Sequence, residues 1–452
     1  MRPAASADRA RRFLKRRAGH SRHRLVCGDL QGVSQAVVIP VLAEEERLFA
    51  TLESLARNPP GELARTLVIC VVNNRAEPFA RTEWVADNQR TLGHLENLVN
   101  GRRAPIRPDL AFDRLRLGFV DASSRGLEIG PKFGVGEARR IGLDLALSVL
   151  TDNGVEGGLL CSLDADTVVE ADYLANIRRH FAVTGCRSAV VDYAHTLPDD
   201  SARRIAIVRY ELFLRYHELG LRLAGSPYAF PTIGSTIVTR CDAYVAAGGM
   251  NRRQAGEDFY FLQELVKTGG VGRVNSTTVH PSARSSDRVP FGTGASISRH
   301  LSGGDDGAMV YHPAGYRVIG DWLSVVEGRL DHPASDHLER AARISAQLKA
   351  FLIRNDFEET WPKIQHNSPD LDGLERQFHR WFDGFRTLKL IHHLRDNGLP
   401  RQPIFDAVRE LVDRSARIDP GIAWDNIADD IGVQEELLDV LRSRCAQTST
   451  GD

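Results

Sequence analysis

Two aspartates, Asp164 and Asp166, follow an apolar segment of residues 158–163 and are separated by one residue. The apolar segment predicts a buried strand, and side chains two residues apart in an extended chain lie on the same side. Carboxylate oxygens suit Mg²⁺ and Mn²⁺, and both cations also bind phosphate oxygens. An isolated Asp-x-Asp is more often a solvated turn, but at a strand end the pair predicts a metal site that holds a diphosphate.

Three further residues can contribute to the same chemistry. Glu257 and Asp258 open a predicted helix, where the helix dipole favours acidic groups. A carboxylate at this position can also act as the general base that deprotonates an acceptor hydroxyl. His280 follows a predicted strand at 271–279 and is either a structural histidine or a third metal ligand.

Arginines in two glycine-containing segments are candidates for binding phosphate. Gly134 and Gly136 precede Arg139 at the entry of a predicted helix, and glycine lets the backbone approach a phosphate closely. Arg284 and Arg288 belong to a segment rich in Gly, Ser and Arg that is predicted to be a mobile loop over 281–310. These two arginines either close over a diphosphate or are solvated loop charges.

The elements that must position these residues alternate between strand and helix. Strands are predicted at 35–42, 67–72, 116–120 and 159–163, with helices at 44–55 and 134–150. Because the predicted strands are nearly continuous apolar runs, we expect an α/β fold with a Rossmann-like, mostly parallel sheet and helices on both faces. Ligands bind at the carboxyl ends of such strands, where Pro40, Asn73 and Asp164 are predicted to converge.

The C-terminal part shows helical periodicity alone. Its helices are predicted at 336–355, 374–397, 404–417 and 433–444, and a further helix is predicted at 203–223 within the preceding region. We therefore predict three regions: a basic leader at 1–30, an α/β domain at 31–310, and a helical C-terminal extension at 311–452. The extension is predicted to shape an acceptor site or a homo-oligomer interface.

Composition is that of a soluble globular protein, with 42% hydrophobic and 26% charged residues in 452. Six scattered cysteines without a Cys-x-x-Cys pair indicate reduced thiols in a cytoplasmic protein. Residues 1–24 carry a net charge of +8, which leaves −9 on the rest of the chain. We expect this leader to be disordered, either as a plain tail or as a peripheral contact with an anionic membrane. A nucleic-acid partner is not favoured, because no basic patch with interleaved aromatic residues follows.

Taken together, these residues resemble the family 2 glycosyltransferases of the GT-A fold over residues 35–285. The matching motifs occur in the family's order. They are Val38-Ile39-Pro40 with Glu44, the strand ending at Asn73, Gly136-x-x-Arg139-x-x-Gly142, Asp164-Ala165-Asp166, Gly234-Ser235 before Gly248-Gly249, and Glu257-Asp258.

The resemblance implies a nucleotide-sugar donor, an acceptor hydroxyl and a divalent cation, Mn²⁺ or Mg²⁺. It implies that Asp258 is the catalytic base, with Glu257 beside it, and that Asp166 holds the metal, with Asp164 and His280 as further ligands. The residues implied to contact the donor are Pro40, Glu44, Asn73, Arg139, Asp164, Ser235, Arg284 and Arg288.

Two departures from the family pattern bear on the donor. The first strand leads into Ala43-Glu44 where the family has Asn-Glu, and the second ends in Asn73-Asn74 where the family has Asp-Asp. An asparagine carbonyl accepts a hydrogen bond from uracil N3, whereas the two adjacent donors of guanine prefer a carboxylate, so a UDP-sugar is favoured.

Three alternatives remain open. His280 resembles the third metal ligand of retaining enzymes such as the mannosylglycerate synthases, which use GDP-mannose. A sugar nucleotidyltransferase would need a basic loop where residues 44–46 are acidic. A non-catalytic scaffold of the same fold would not need Asp164, Asp166, Glu257 and Asp258.

Overall fold

The computed structural model describes residues 3–17, 22–103, 112, 114–286, 292–304, 308–413 and 421–447. The chain forms two compact units. The first comprises residues 1–196 and 232–282, and the second comprises residues 197–231 and 283–452. The predicted division at 310 therefore differs from this one, because residues 197–231 and 283–310 group with the helical C-terminal part.

Eleven strands occur within the described residues. They are β1 Leu25–Cys27, β2 Gln35–Val41, β3 Thr66–Asn73, β4 Arg116–Ala122, β5 Leu159–Ser162, β6 Thr167–Val169, β7 Ser188–Tyr193, β8 Ile237–Arg240, β9 Gly272–Pro281, β10 Met309–Val310 and β11 Gln402–Pro403.

The same residues form eighteen α-helices. They are α1 Pro3–Arg17, α2 Glu45–Ala56, α3 Pro60–Leu63, α4 Thr82–Val99, α5 Val135–Asp152, α6 Tyr173–Thr184, α7 Ser201–Leu223, α8 Cys241–Ala246, α9 Glu257–Gly269, α10 Thr293–Leu301, α11 Pro313–Glu327, α12 Ala334–Ile344, α13 Ala346–Arg354, α14 Phe357–His366, α15 Leu371–Trp381, α16 Gly384–Asp396, α17 Ile404–Asp413 and α18 Ile431–Gln447.

A nine-stranded sheet in the order β1-β4-β3-β2-β5-β8-β7-β9-β6 forms the centre of the first unit. Its four central strands, β4-β3-β2-β5, are parallel, and β7 pairs with β9 in the same sense. Every residue of β2 and β3 is buried, so both faces of the sheet are covered. Strands β1, β6 and β8 pair antiparallel with their neighbours. The predicted α/β class with a mostly parallel sheet is confirmed.

Five predicted strands and two predicted helices of this unit occur within a few residues of their expected bounds. Strands β6 and β7 and helix α6 were not predicted. Strand β6 has only three residues, too few to show a period, and β7 is buried at every position, so its apolar residues do not alternate with polar ones.

The expectation of a disordered basic leader is wrong for residues 3–17, which form helix α1. Ala10 and Phe13 are each 6% exposed, and the Phe13 ring makes an edge contact with Tyr244 at 6.0 Å between centroids. The guanidinium of Arg17 donates a hydrogen bond to Asp144 of α5 at 3.1 Å. Two apolar residues three positions apart thus give this charged segment one buried stripe, which fixes it as a helix.

The expectation of one mobile loop over 281–310 is wrong in part. The segment contains helix α10 and strand β10, and β10 pairs with β11. Ile297 of α10 is fully buried against Ala206 and Ile207 of α7. Burial of Ile297 orders α10, although the surrounding segment is rich in Gly, Ser and Arg. Arg288 lies outside the described residues.

The second unit is helical around an aromatic core. The centroids of the Trp322 and Phe357 rings lie 5.4 Å apart, and Phe378 stacks on Phe382 with 5.9 Å between ring centroids. The predicted helix 336–355 is divided at Ser345, whose side chain accepts hydrogen bonds from two backbone N–H groups and caps α13. No helix within the described residues is long and apolar enough to cross a membrane.

Helix α5 lies so close to the sheet that one position requires glycine. A Cβ atom at Gly142 would overlap Val38 Cγ1 of β2 and lie 2.9 Å from Val71 Cγ2 of β3. Gly142 therefore sets the distance between the helix and the two central strands.

We predict that Gly142→Ala lowers the free energy of unfolding by about 1–3 kcal/mol, because the added methyl overpacks this contact. The matched control is Gly93→Ala in α4, where the site is exposed and a Cβ meets nothing within 4 Å. The control should be neutral or stabilising by up to about 1 kcal/mol. Urea denaturation measures both, and equal effects of the two substitutions would contradict this account of the helix position.

Candidate active site

Arg139 lies at the centre of a polar cluster in the first unit and is 3% exposed. Its Nε donates to Glu257 Oε1 at 3.0 Å, its Nη2 donates to Asp164 Oδ1, and its Nη1 donates to the Ser162 hydroxyl. Burial lowers the pKa of Arg139, but the charges of Asp164 and Glu257 outweigh burial and raise it, so the guanidinium stays charged. One helix side chain thus joins the end of β5 to the start of α9.

Glycines make room for this guanidinium and for the helix that carries it. A Cβ atom at Gly234 would overlap Arg139 Nη2, and the Gly234 carbonyl accepts from Nη1 at 3.4 Å. A Cβ at Gly136 would lie 2.7 Å from the Arg253 carbonyl oxygen, and the Gly136 N–H donates to that oxygen at 3.2 Å. Gly136, from the predicted phosphate-binding segment, therefore serves close backbone packing of α5, whereas Gly234 leaves room for the guanidinium of Arg139.

The Asp-x-Asp pair lies in a turn, and the expectation of an extended strand end is wrong. The Thr167 N–H donates to the Asp164 carbonyl at 3.2 Å, which closes a four-residue turn between β5 and β6. Asp164 and Asp166 are both half-buried. The carboxylate of Asp164 is held by Arg139.

Glu257 and Asp258 begin α9, as predicted, directly after Gly256. Burial raises the pKa of Glu257, although the Arg139 charge opposes the shift. Burial, followed by repulsion from Glu257, raises the pKa of Asp258 to about 7. The Phe259 N–H donates to Asp258 Oδ1 at 2.7 Å and partly offsets this shift. A carboxyl group with a pKa near neutrality is well suited to accept a proton.

His280 has the hydrogen bonding expected of a ligand, but it lies within β9, and the strand does not end before it. Its Nδ1 is 3.0 Å from the Ala194 carbonyl, which can only accept, so in the neutral ring Nδ1 carries the proton and Nε2 has the lone pair. Nε2 lies 3.6 Å from Glu170 Oε1. A backbone carbonyl of this kind commonly orients a metal-binding histidine.

The three predicted metal ligands do not form a closed cage. Among the described residues, three potential ligand atoms lie within 4.8 Å of one another at Glu327, Glu375 and His379 of the second unit. Asp164, Asp166 and His280 do not meet this distance. A cation bound in the first unit would therefore need oxygen ligands from its substrate or from water.

Asn73 ends β3, and its hydrogen bonds fix the orientation of its side-chain amide. Its Nδ2 donates to the carbonyls of Val41 at 2.9 Å and Val71 at 3.1 Å. Because both neighbours are acceptors, the amide nitrogen must face them, and Oδ1 remains as the acceptor of this side chain. Pro40 lies beside Val71 in the sheet register, at the ends of the same two strands.

Sequence reasoning missed Asn88 of α4. Asn88 is fully buried; its Nδ2 donates to the Asn73 carbonyl at 3.0 Å, and its Oδ1 accepts from Ala43 N at 2.9 Å. Ala43 has a φ of 51°, which is costly for a residue other than glycine. Asn88 thus fixes the loop that leads into α2, and no local pattern marks it.

The other residues expected to contact a nucleotide-sugar donor are Glu44, Ser235 and Arg284. Glu44 is 5% exposed and precedes the first turn of α2. Ser235 is fully buried beside Gly234, and within the part of the chain that the structure describes its hydroxyl has no hydrogen-bond partner. Arg284 is half-buried in the second unit.

No protein-family model and no curated protein sequence matches the chain. Among solved structures, it is similar to S. aureus TarS 1–349 in complex with UDP-GlcNAc, with 12% identity, a TM-score of 0.36, and coverage of 91% of this chain and 90% of that one. It is also similar to the mannosyltransferase PcManGT from Pyrobaculum calidifontis in complex with GDP-Man and Mn²⁺, with 12% identity and a TM-score of 0.34 over 99% of this chain and 95% of that one. Similarity at this level carries no argument about activity.

We predict that Asp258→Asn stabilises the protein at pH 8. The raised pKa of about 7 means that the folded protein keeps a proton that the unfolded chain releases near pH 4. Wild-type stability therefore falls as the pH rises through about 7, whereas the amide has no proton to lose. The gain should grow from near zero at pH 4 to about 4 kcal/mol at pH 8, because a pKa difference of about three units corresponds to about 1.4 kcal/mol per unit.

Urea denaturation at several pH values measures this difference. The control is Asp331→Asn, which removes a carboxylate whose side chain is 81% exposed and should have a small effect at every pH. A gain from Asp258→Asn that does not grow with pH would contradict the assigned surroundings of Asp258.

Proposed function

We propose that the chain is a nucleotide-sugar-dependent glycosyltransferase of the GT-A, family 2 type that transfers a sugar to an acceptor hydroxyl. One observation carries the proposal. The buried Arg139 joins the turn of Asp164 and Asp166 to the helix start of Glu257 and Asp258. A site for a phosphate-bound cation and a candidate base thereby occur in one cluster at the carboxyl end of β5.

The donor set of the turn fits Mg²⁺ or Mn²⁺. Mg²⁺ is commonly held by one or two carboxylates plus substrate phosphates, so the absence of a closed cage among the described residues does not count against the fit. Asp166 and Asp164 would supply oxygen ligands, and His280 Nε2 would supply a nitrogen. When bound, the cation neutralises charge on the departing diphosphate.

Asp258 is the group proposed to take the acceptor proton. Glu257 is held by Arg139 at 3.0 Å, so its charge is already compensated. Within the part of the chain that the structure describes, Asp258 forms no such ion pair with a basic side chain, and its pKa of about 7 places it near the pH at which it must work. Deprotonation of the acceptor hydroxyl accompanies its attack on the anomeric carbon, and the transition state resembles an oxocarbenium ion.

The orientation of Asn73 supports a UDP-sugar as donor. Its Oδ1 can accept the N3–H of uracil, whereas N3 of cytosine is itself an acceptor. Guanine presents two neighbouring donors, which a single amide oxygen satisfies only in part. A GDP-mannose donor with a retaining outcome is the second candidate, because the Nε2 lone pair of His280 is available as a metal ligand.

We predict that UDP raises the melting temperature of the protein and that the shift depends on Mn²⁺. Ligand that binds only the folded state stabilises it by mass action. UDP, GDP, CDP and dTDP are each compared with and without Mn²⁺ by thermal shift. UDP at about a hundred times its Kd should stabilise by about 2.7 kcal/mol, and CDP by clearly less.

Asp166→Ala should abolish the Mn²⁺-dependent part of the shift, whereas Asp331→Ala, an exposed aspartate of the second unit, should retain it. A larger shift with GDP than with UDP would favour GDP-mannose as the donor in place of a UDP-sugar. No shift with any nucleotide would overturn the donor assignment and favour a scaffold.

A further inference from the structure

Helix α1 has one face committed to the first unit. Its Arg17 donates to the Gly248 carbonyl at 2.6 Å and the Met250 carbonyl at 2.8 Å, in addition to its bond to Asp144. Its Phe13 fills the space beside Gly249, where a Cβ atom would lie 2.8 Å from the ring. The inner face of α1 is therefore fixed to α5, α8 and the segment that follows α8.

The opposite face of α1 is a row of cations. We call it the basic face, and it consists of Arg9, Arg11, Arg12, Lys15 and Arg16, all of which are exposed. Asp8 Oδ1 lies 3.7 Å from Arg11 Nη1 and offsets one positive charge, so the basic face carries a net charge of about +4.

The stability of the fold does not explain this row. Arg9 and Arg12, Arg11 and Lys15, and Arg12 and Arg16 are three or four residues apart, so like charges oppose the helix. The chain beyond residue 24 carries a net charge of −9, so the basic face is also a strong local asymmetry in the charge of the whole molecule. Such an asymmetry orients a protein toward an anionic surface.

We propose that the basic face of α1 binds an anionic lipid bilayer while α1 remains docked on the first unit. A planar surface lets all five side chains approach phosphate groups together, and basic residues near such a surface each add to binding. A single-stranded nucleic acid is less well matched, because Phe13 is the only aromatic residue of α1 and is buried, which leaves no ring on which bases can stack.

The docked state determines the kind of binding. An amphipathic helix that enters a bilayer buries its apolar side chains there, but Ala10 and Phe13 of α1 are already buried in the protein. Binding is therefore electrostatic, and salt reverses it, since the screening length falls to about 3 Å at 1 M salt. This inference does not depend on the proposed activity.

Vesicle cosedimentation tests the proposal with vesicles of phosphatidylcholine alone or mixed with phosphatidylglycerol. The test variant carries Arg9→Gln, Arg12→Gln, Lys15→Gln and Arg16→Gln, which keep good helix formers at exposed positions. The matched control carries four exposed Arg→Gln changes elsewhere and has the same net charge. Its substitutions are Arg57→Gln, Arg343→Gln, Arg354→Gln and Arg376→Gln.

The wild type and the control should bind the mixed vesicles at low salt, release them at high salt and ignore neutral vesicles. The test variant should bind the mixed vesicles at least about tenfold more weakly. Equal binding by the test variant, binding to neutral vesicles, or retention at high salt would overturn the proposal. It would also be overturned if the wild type bound a DNA oligonucleotide but no vesicle.

Discussion

The buried ion pairs of Arg139 are the interaction on which the first unit depends. A guanidinium that is 3% exposed is tolerated only because Asp164 and Glu257 compensate its charge. Removal of one partner from such a buried pair typically costs about 3–5 kcal/mol. Gly142 lets α5 lie close to the sheet, and Gly234 leaves space for the guanidinium, so both glycines help to position Arg139. Packing and electrostatics therefore fix the same geometry.

The same ion pairs set the chemistry of the neighbouring carboxyl. Burial, and then repulsion from the Glu257 carboxylate that Arg139 bonds, raise the pKa of Asp258 to about 7, and the Arg139 charge only partly offsets this rise. Had Arg139 bonded Asp258 directly, its charge would have held that pKa low and made the group a weak base. The arrangement places a base with a near-neutral pKa in the same cluster as the turn of Asp164 and Asp166.

Patterns of local sequence predicted the parallel strands and helix α5, because apolar runs and glycine spacing encode them. They did not predict the ion pairs of Arg139 with Asp164 and Glu257, since Arg139 was expected to bind phosphate. They did not predict the turn at Asp164, since its closing bond to Thr167 leaves no compositional trace. Helices α1 and α10 were read as disordered or mobile because each depends on few buried residues, such as Phe13 and Ile297, against a polar background. Tertiary contacts of these buried residues, rather than local composition, order both helices.

Release of UDP from UDP-sugars in the presence of Mn²⁺, with water as the acceptor, tests the central claim most directly. The account predicts slow wild-type turnover whose rate rises with pH through about 7, as Asp258 loses its proton. It predicts a loss of at least about a hundredfold and of this pH dependence in Asp258→Asn. Wild-type rates and pH dependence in Asp258→Asn, or no release from any UDP-sugar or GDP-mannose, would contradict it.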